Sequence, residues 1–216
     1  MAWILAGVVP LAALLLWWLL PVNGDSEQQA AASVARVSAT AKDWGAGFIE
    51  DDDPPSDAGE VRVREDCSHY LKADRPGTLA VLVRFVARKE PAREAFSEVR
   101  LYDNVATAEK YMDDWEEAVH RCPTQTDGKE RFEDIREAYS PQLSGFDEVL
   151  LEEGRRIAGD DGEKLDEVFV GMVGRRGEFI VQASVFGPAG HATELRTLVV
   201  GAMQRMQRRV AEQAHP

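Results

Sequence analysis

The residues of this chain best able to do chemistry are two cysteines, Cys67 and Cys122, and four histidines, His69, His120, His191 and His215. A zinc site wants a CxxC or a close Cys/His cluster, and these cysteines stand far apart without one. A reactive thiol wants a base or cation to hold the thiolate, and nothing adjacent in sequence nominates one. In an oxidising compartment an even pair of cysteines reads instead as a disulfide. It would close a loop of roughly 56 residues, worth ~4 kcal/mol by the loop-entropy argument. His69 follows Cys67 by two residues and His120 precedes Cys122 by two, so the bridge could bring both imidazoles together. Such a pair is more often exposed than metal-bound.

Neighbouring carboxylates, Asp113-Asp114 and Glu116-Glu117, fall on the polar side of an amphipathic segment, where solvated charge is the ordinary explanation. Asp51 to Asp53 lack the alternating Asp/Asn and the glycine of a calcium loop, and read as a solvated acidic turn. No GxSxG, HExxH, P-loop or GxGxxG is present. The expectation is no catalytic residue, no metal site and no cofactor, and no ligand-contacting residue can be nominated.

The first 24 residues carry no charged side chain, although the chain holds 25 basic and 38 acidic residues. Residues 1–24 therefore read either as a secretory signal peptide or as a membrane anchor. Residues 2–22, if uncleaved, are just long enough to span ~30 Å of hydrocarbon. Trp17 and Trp18 suit an interfacial belt. Either reading places the rest outside the cytoplasm, in a compartment that permits disulfides. The net charge of −13 argues against nucleic acid, whose phosphates need a basic face. It also argues against docking on anionic lipid.

The elements that would position these residues follow from periodicity. Ala30, Val34, Val37, Ala41, Trp44 and Phe48 share one face of a helix over 26–48. Residues 51–60, DDDPPSDAGE, form an acidic linker, so 25–60 reads as helix plus linker and 61–211 as the folded domain, with a tail at 212–216. Strands are expected over 78–88 and 95–103. Asn104 caps a helix whose stripe is Val105, Ala108, Met112, Trp115, Val119 and Cys122. At that spacing Trp115 reads as core. Residues 124–131 read as a loop. Strands over 131–139 and 146–156, a hairpin over 165–186 and a helix over 190–211 complete the chain. Two hairpin-plus-helix units, 78–122 and 165–211, share a layout. The expected fold is α+β: a mostly antiparallel sheet of about six strands, with two helices packed on one face and the opposite face solvated or forming a cleft.

Cys67, Val99-Arg100-Leu101-Tyr102, Ala106, Ala108, Trp115, Cys122, Phe179-Ile180-Val181 and the last helix together resemble the PknH-type extracellular sensor domain of actinobacteria, over residues 61–211. That family is found outside the membrane on receptor kinases and on free-standing exported proteins. The resemblance implies a non-catalytic module with a cleft for an unidentified small molecule or cell-envelope component. Within these residues there is no kinase domain. The alternative is a scaffold subunit that docks an envelope protein partner through an open sheet face or through the 26–48 helix. An exported hydrolase is a distant third, for want of a nucleophile or metal cluster.

Overall fold

The computed structural model describes residues 24–51, 59–140, 143–159 and 161–213. The leader up to residue 23, most of the acidic linker and the tail with His215 lie outside the described residues.

Eight strands form one antiparallel sheet. Six are the long ones read from the sequence: β4 (Thr78–Arg88), β5 (Arg93–Tyr102), β7 (Glu130–Ala138), β8 (Glu148–Ala158), β9 (Lys164–Arg176) and β10 (Phe179–Pro188). Two short strands, β1 (Ile49–Glu50) and β6 (Gln125–Asp127), lie at the edges, giving the order β1-β4-β5-β10-β9-β8-β7-β6. The stretch expected as a polar loop after residue 124 thus supplies β6. A separate hairpin, β2 (Glu60–Val63) with β3 (His69–Lys72), was not read from the sequence: Glu60–Val63 alternates over only four residues, and in the opposite sense to its burial, with Glu60 buried and Val61 exposed.

The helices are α1 (Gly24–Val37), α2 (Ala41–Trp44), α3 (Val105–Arg121) and α4 (Ala192–Gln213). The single helix expected over 26–48 is broken at Ser38–Thr40. Local polar bonds outcompete the helix there. Thr40 donates its backbone N–H and its hydroxyl to Asp43, at 2.8 and 3.0 Å. Ser97 donates to the carbonyl of Ala39. Arg209 of α4 donates to the carbonyls of Val37 and Ser38 and to the Asp43 carboxylate. Burial acts to raise the Asp43 carboxyl, but these bonds and the Arg209 charge hold it below the ordinary value. The apolar stripe still turns inward. Val34 and Val37 are 2% and 0% exposed, so the apolar stripe is part of the core.

Helices α3 and α4 were expected on the same face and lie on opposite ones. Leu195, Val199, Ala202, Met203 and Met206 of α4 pack, together with α1, on Val99, Leu151, Val170, Met172, Val181, Ala183 and Val185. Ala108, Met112 and Val119 of α3 pack on Tyr102, Leu150, Phe169, Val173 and Ile180, which point the other way. Two residues, 103–104, connect β5 to α3, and three, 189–191, connect β10 to α4. Side-chain direction alternates at every residue of a strand, and a one-residue difference in exit is consistent with helices departing to opposite faces. The likeness of the two hairpin-helix units stops at that point.

Candidate functional site

Cys67 and Cys122 are joined, with their Cα atoms 5.5 Å apart. Cys122 caps α3, its N–H bonded to the carbonyl of Ala118, and is fully buried. Cys67 lies in the β2–β3 turn, and its carbonyl accepts from Thr126 of β6 at 3.1 Å. The bridge therefore pins the tip of the outer hairpin to the end of α3. The other end of the hairpin is held by charge. Arg75 contacts Glu60 through three hydrogen bonds and reaches Asp114 of α3 at 2.8 Å. Arg100 of β5 bonds Asp74 at 2.6 Å, the carbonyl of Gly59 at 2.8 Å, and Glu98. Burial acts to raise the Glu60 carboxyl, and Arg75 and Arg62 more than offset it, leaving it below the ordinary range. Asp114, read from sequence as solvated, is thus half-buried and paired.

Hairpin, α3 and sheet border a partly open cavity of about 860 Å³. Its floor is the α3-side face of the sheet. One cross-strand row, set by the pairing register, runs Phe85 (β4), Phe96 (β5), Ser184 (β10), Gly171 (β9) and Glu152 (β8). A row beside it carries Val83, Glu98 and Gln182. Phe132, Phe169 and Phe186 form an aromatic cluster on the other flank, with ring centroids 5.8 to 6.4 Å apart. The roof is α3, where the Tyr111 and Trp115 rings stack at 6.1 Å. Trp115, expected as core, faces this space, and its buried indole N–H has no hydrogen-bond partner.

Polar groups converge where Gly171 lacks a side chain. A Cβ built there would come within 2.9 Å of Glu152 Oε1 and 3.1 Å of Ser184 Oγ. Gln182 and Ser184 are each 4% exposed, and neither side chain has a hydrogen-bond partner among the described residues. The Glu152 carboxyl has no cationic partner among them either. Burial pushes it up to about 7 from an ordinary 4.5, opposed by the Trp115 indole, which lies near without reaching hydrogen-bond geometry. Glu152 keeps some exposed surface although protein encloses it, because that surface faces the cavity. Glu98 is raised by burial too, with Arg100 opposing. A concave, mostly apolar space with a few convergent polar groups and a perturbed carboxyl is the usual form of a small-molecule site.

The Glu152 shift has a consequence for stability. Its folded-state value lies above the unfolded one, so the folded chain binds the extra proton between about pH 4.5 and 7. Stability is full below that window and falls as pH rises through it. Converting the whole shift gives about 3 kcal/mol, and the surface facing the cavity lowers this to about 2 kcal/mol. Glu152→Gln is expected to stabilise the protein by that amount at pH 8 and to change little at pH 4.5, as measured by urea unfolding. Equal effects at the two pH values would rule out the desolvated carboxyl.

The two histidines flanking the disulfide find separate partners. His69 Nε2 lies 2.6 Å from Gln125 Oε1, and its ring stacks on Phe132. His120 Nε2 lies 3.0 Å from Glu137 on the exposed side of α3. Glu116, His120 and Glu137 offer ligand atoms within 4.8 Å of one another, all of them exposed. His191 contacts Glu194 at the start of α4.

No protein-family model and no curated protein matches the chain. Among solved structures, it is similar to the extracellular domain of PknH from Mycobacterium tuberculosis. The TM-score is 0.47 at 11% identity, and the match covers 83% of this chain and 97% of that one. This is the likeness expected from the cysteine, Trp115 and hairpin-helix pattern.

None of Phe96, Glu152, Gly171, Gln182 and Ser184 was nominated from sequence. A signal was present. In FIVQASVF (179–186) two polar residues recur at alternate positions of an otherwise apolar strand flanked by glycine turns. In a central strand buried on both faces, such polar residues need a partner or a ligand.

Proposed function

We propose that this chain is a non-catalytic extracytoplasmic module, exported or membrane-anchored, that binds a small molecule in the cavity under α3. The observation that carries this reading is the pair Gln182 and Ser184, buried side chains without hydrogen-bond partners on the floor of an aromatic-lined space. Their polar atoms are open to that space, so a ligand seated there can bond them directly. The charge-free leader and the disulfide support the extracytoplasmic placement.

The scaffold alternative has less to stand on. The 26–48 segment buries its apolar stripe, and both faces of the sheet carry helices. Of the large apolar residues that remain exposed, Val61 and Leu71 pair across the outer hairpin, a patch of two residues.

Native mass spectrometry of the chain exported to an oxidising periplasm tests the proposal. An adduct that survives desalting is expected. It should disappear in Gly171→Leu, whose Cβ alone would press on Glu152 Oε1 and Ser184 Oγ and push both out of place, while the variant stays folded. A clean apo mass for the parent chain, or an adduct retained in Gly171→Leu, overturns the cavity as the binding site.

A further inference from the structure

We propose that the cavity takes an organic cation: a protonated amine seated between Glu152 and Ser184, on an apolar body that lies over Phe96 and Phe85. This rests on the reading of the cavity as a ligand site and names the class of its ligand.

The row across the floor sets the shape. Neighbouring strands lie about 4.8 Å apart, so Phe96, three strands from Glu152, is about 14 Å away. Between them come the Ser184 hydroxyl and the bare backbone of Gly171. One end of the row is aromatic and the other ends in a carboxyl, the polarity of an elongated apolar molecule with a single polar head.

Donor and acceptor chemistry sets the head. Glu152 Oε1 and Ser184 Oγ offer acceptors on either side of Gly171, which suits the N–H donors of an ammonium. Flanking aromatic faces also attract cations.

The charges that line the cavity make the same selection. Each arginine on its wall already has an acidic partner: Arg62 and Arg75 with Glu60, Arg121 with Glu117, and Arg156 with Glu167 and Glu94. Glu98 has Arg100. Glu152 is left without a cation, and an anionic ligand would find none that is not already engaged. Around Glu152, β7 contributes Glu137, β9 contributes Gly171, β10 contributes Ser184 and α3 contributes Trp115. Arg156, two positions along the same face of β8, is held by its own acidic partners.

Isothermal titration with octylamine, octanol and octanoate tests this, because the three share one body and differ only in the head. With the exported full chain at pH 8, octylamine is expected to bind about tenfold or more tightly than either of the others. At pH 5.5, with Glu152 protonated in the free protein, its advantage over octanol should narrow to about threefold or less. Glu152→Gln should remove the preference for the amine at pH 8. Octanol binding as tightly as octylamine, octanoate binding tightest, or an amine preference that survives Glu152→Gln would overturn the cation assignment and leave the cavity reading standing. Failure of all three to bind would overturn the cavity reading as well.

Discussion

Replacing Cys67 and Cys122 together by alanine is expected to lower the free energy of unfolding by about 4 kcal/mol. The bond spans a sequence separation of 55 residues, and closing a loop of that length removes about 4 kcal/mol of chain entropy from the unfolded state. The native state loses contacts too. Cys122 is fully buried at the end of α3, and the hairpin tip is held there by the bridge and a few backbone bonds. The hairpin is the outer wall of the cavity, so the variant should also open that wall. Urea unfolding of the oxidised parent against the double variant reads the first effect, and amide hydrogen exchange over residues 60–72 reads the second. A loss below about 1 kcal/mol would mean that the unfolded chain is already constrained without the bond. Unchanged exchange in the hairpin would mean that the Glu60–Arg75 charge cluster alone fixes the wall.

Arg100→Met is expected to cost 3–5 kcal/mol at pH 7, the range seen when one partner of a buried charge pair is removed (about 3–5 kcal/mol). Arg100 is 1% exposed and holds Glu98, Asp74 and the carbonyl of Gly59 at once. Methionine fills most of the volume but leaves two carboxylates facing each other without a cation. Glu98 already stands above the ordinary carboxylate range with Arg100 present. Without it the carboxyl rises further, so it is protonated over a wider span of pH. The destabilisation should therefore shrink as the pH is lowered toward 5, where a protonated Glu98 no longer needs a partner. Arg100→Lys should recover only part of the loss, since an ammonium cannot reach three acceptors with the planar geometry of a guanidinium. Denaturant midpoints at pH 7 and pH 5 measure both effects. A pH-independent cost would assign the role of Arg100 to packing against Tyr111, over whose ring its guanidinium sits at 5.9 Å, and not to the carboxylates.

The elements were legible wherever periodicity was long. The bounds of β4 and the start of α3 at the Asn104 cap coincide with the sequence reading, since Asn104 accepts the Thr107 N–H as an N-cap should. All six long strands were visible because each has enough residues to show either alternation or an unbroken apolar run. Short strands were not: β1, β2, β3 and β6 run for only two to four residues, too few for a period to stand out. The break at Ser38–Thr40 was also hidden. The spacing of Val34, Val37 and Trp44 continues straight through it, and the bonds that interrupt the helix come from Ser97 and Arg209, far along the chain.

The candidate site was the least legible part. Glu152 stands beside Glu153 in a charge-rich stretch, and nothing local distinguishes them. Register does so. Glu152 points to the cavity across from Gly171, while Glu153 points to the other face and pairs with Arg196.

The sequence by itself determined the single possible cysteine pairing, the α+β composition and the order of the long elements, and its charge-free leader carried the expectation of an extracytoplasmic compartment. These depend on residue type, count and local period, all carried by neighbouring residues. The tertiary structure alone decided that α3 and α4 take opposite faces, that the outer hairpin walls a cavity, and that Phe96, Ser184, Gly171 and Glu152 share one row. Those facts depend on strand register and on which side each connection leaves its strand, and both are settled only when distant segments pair.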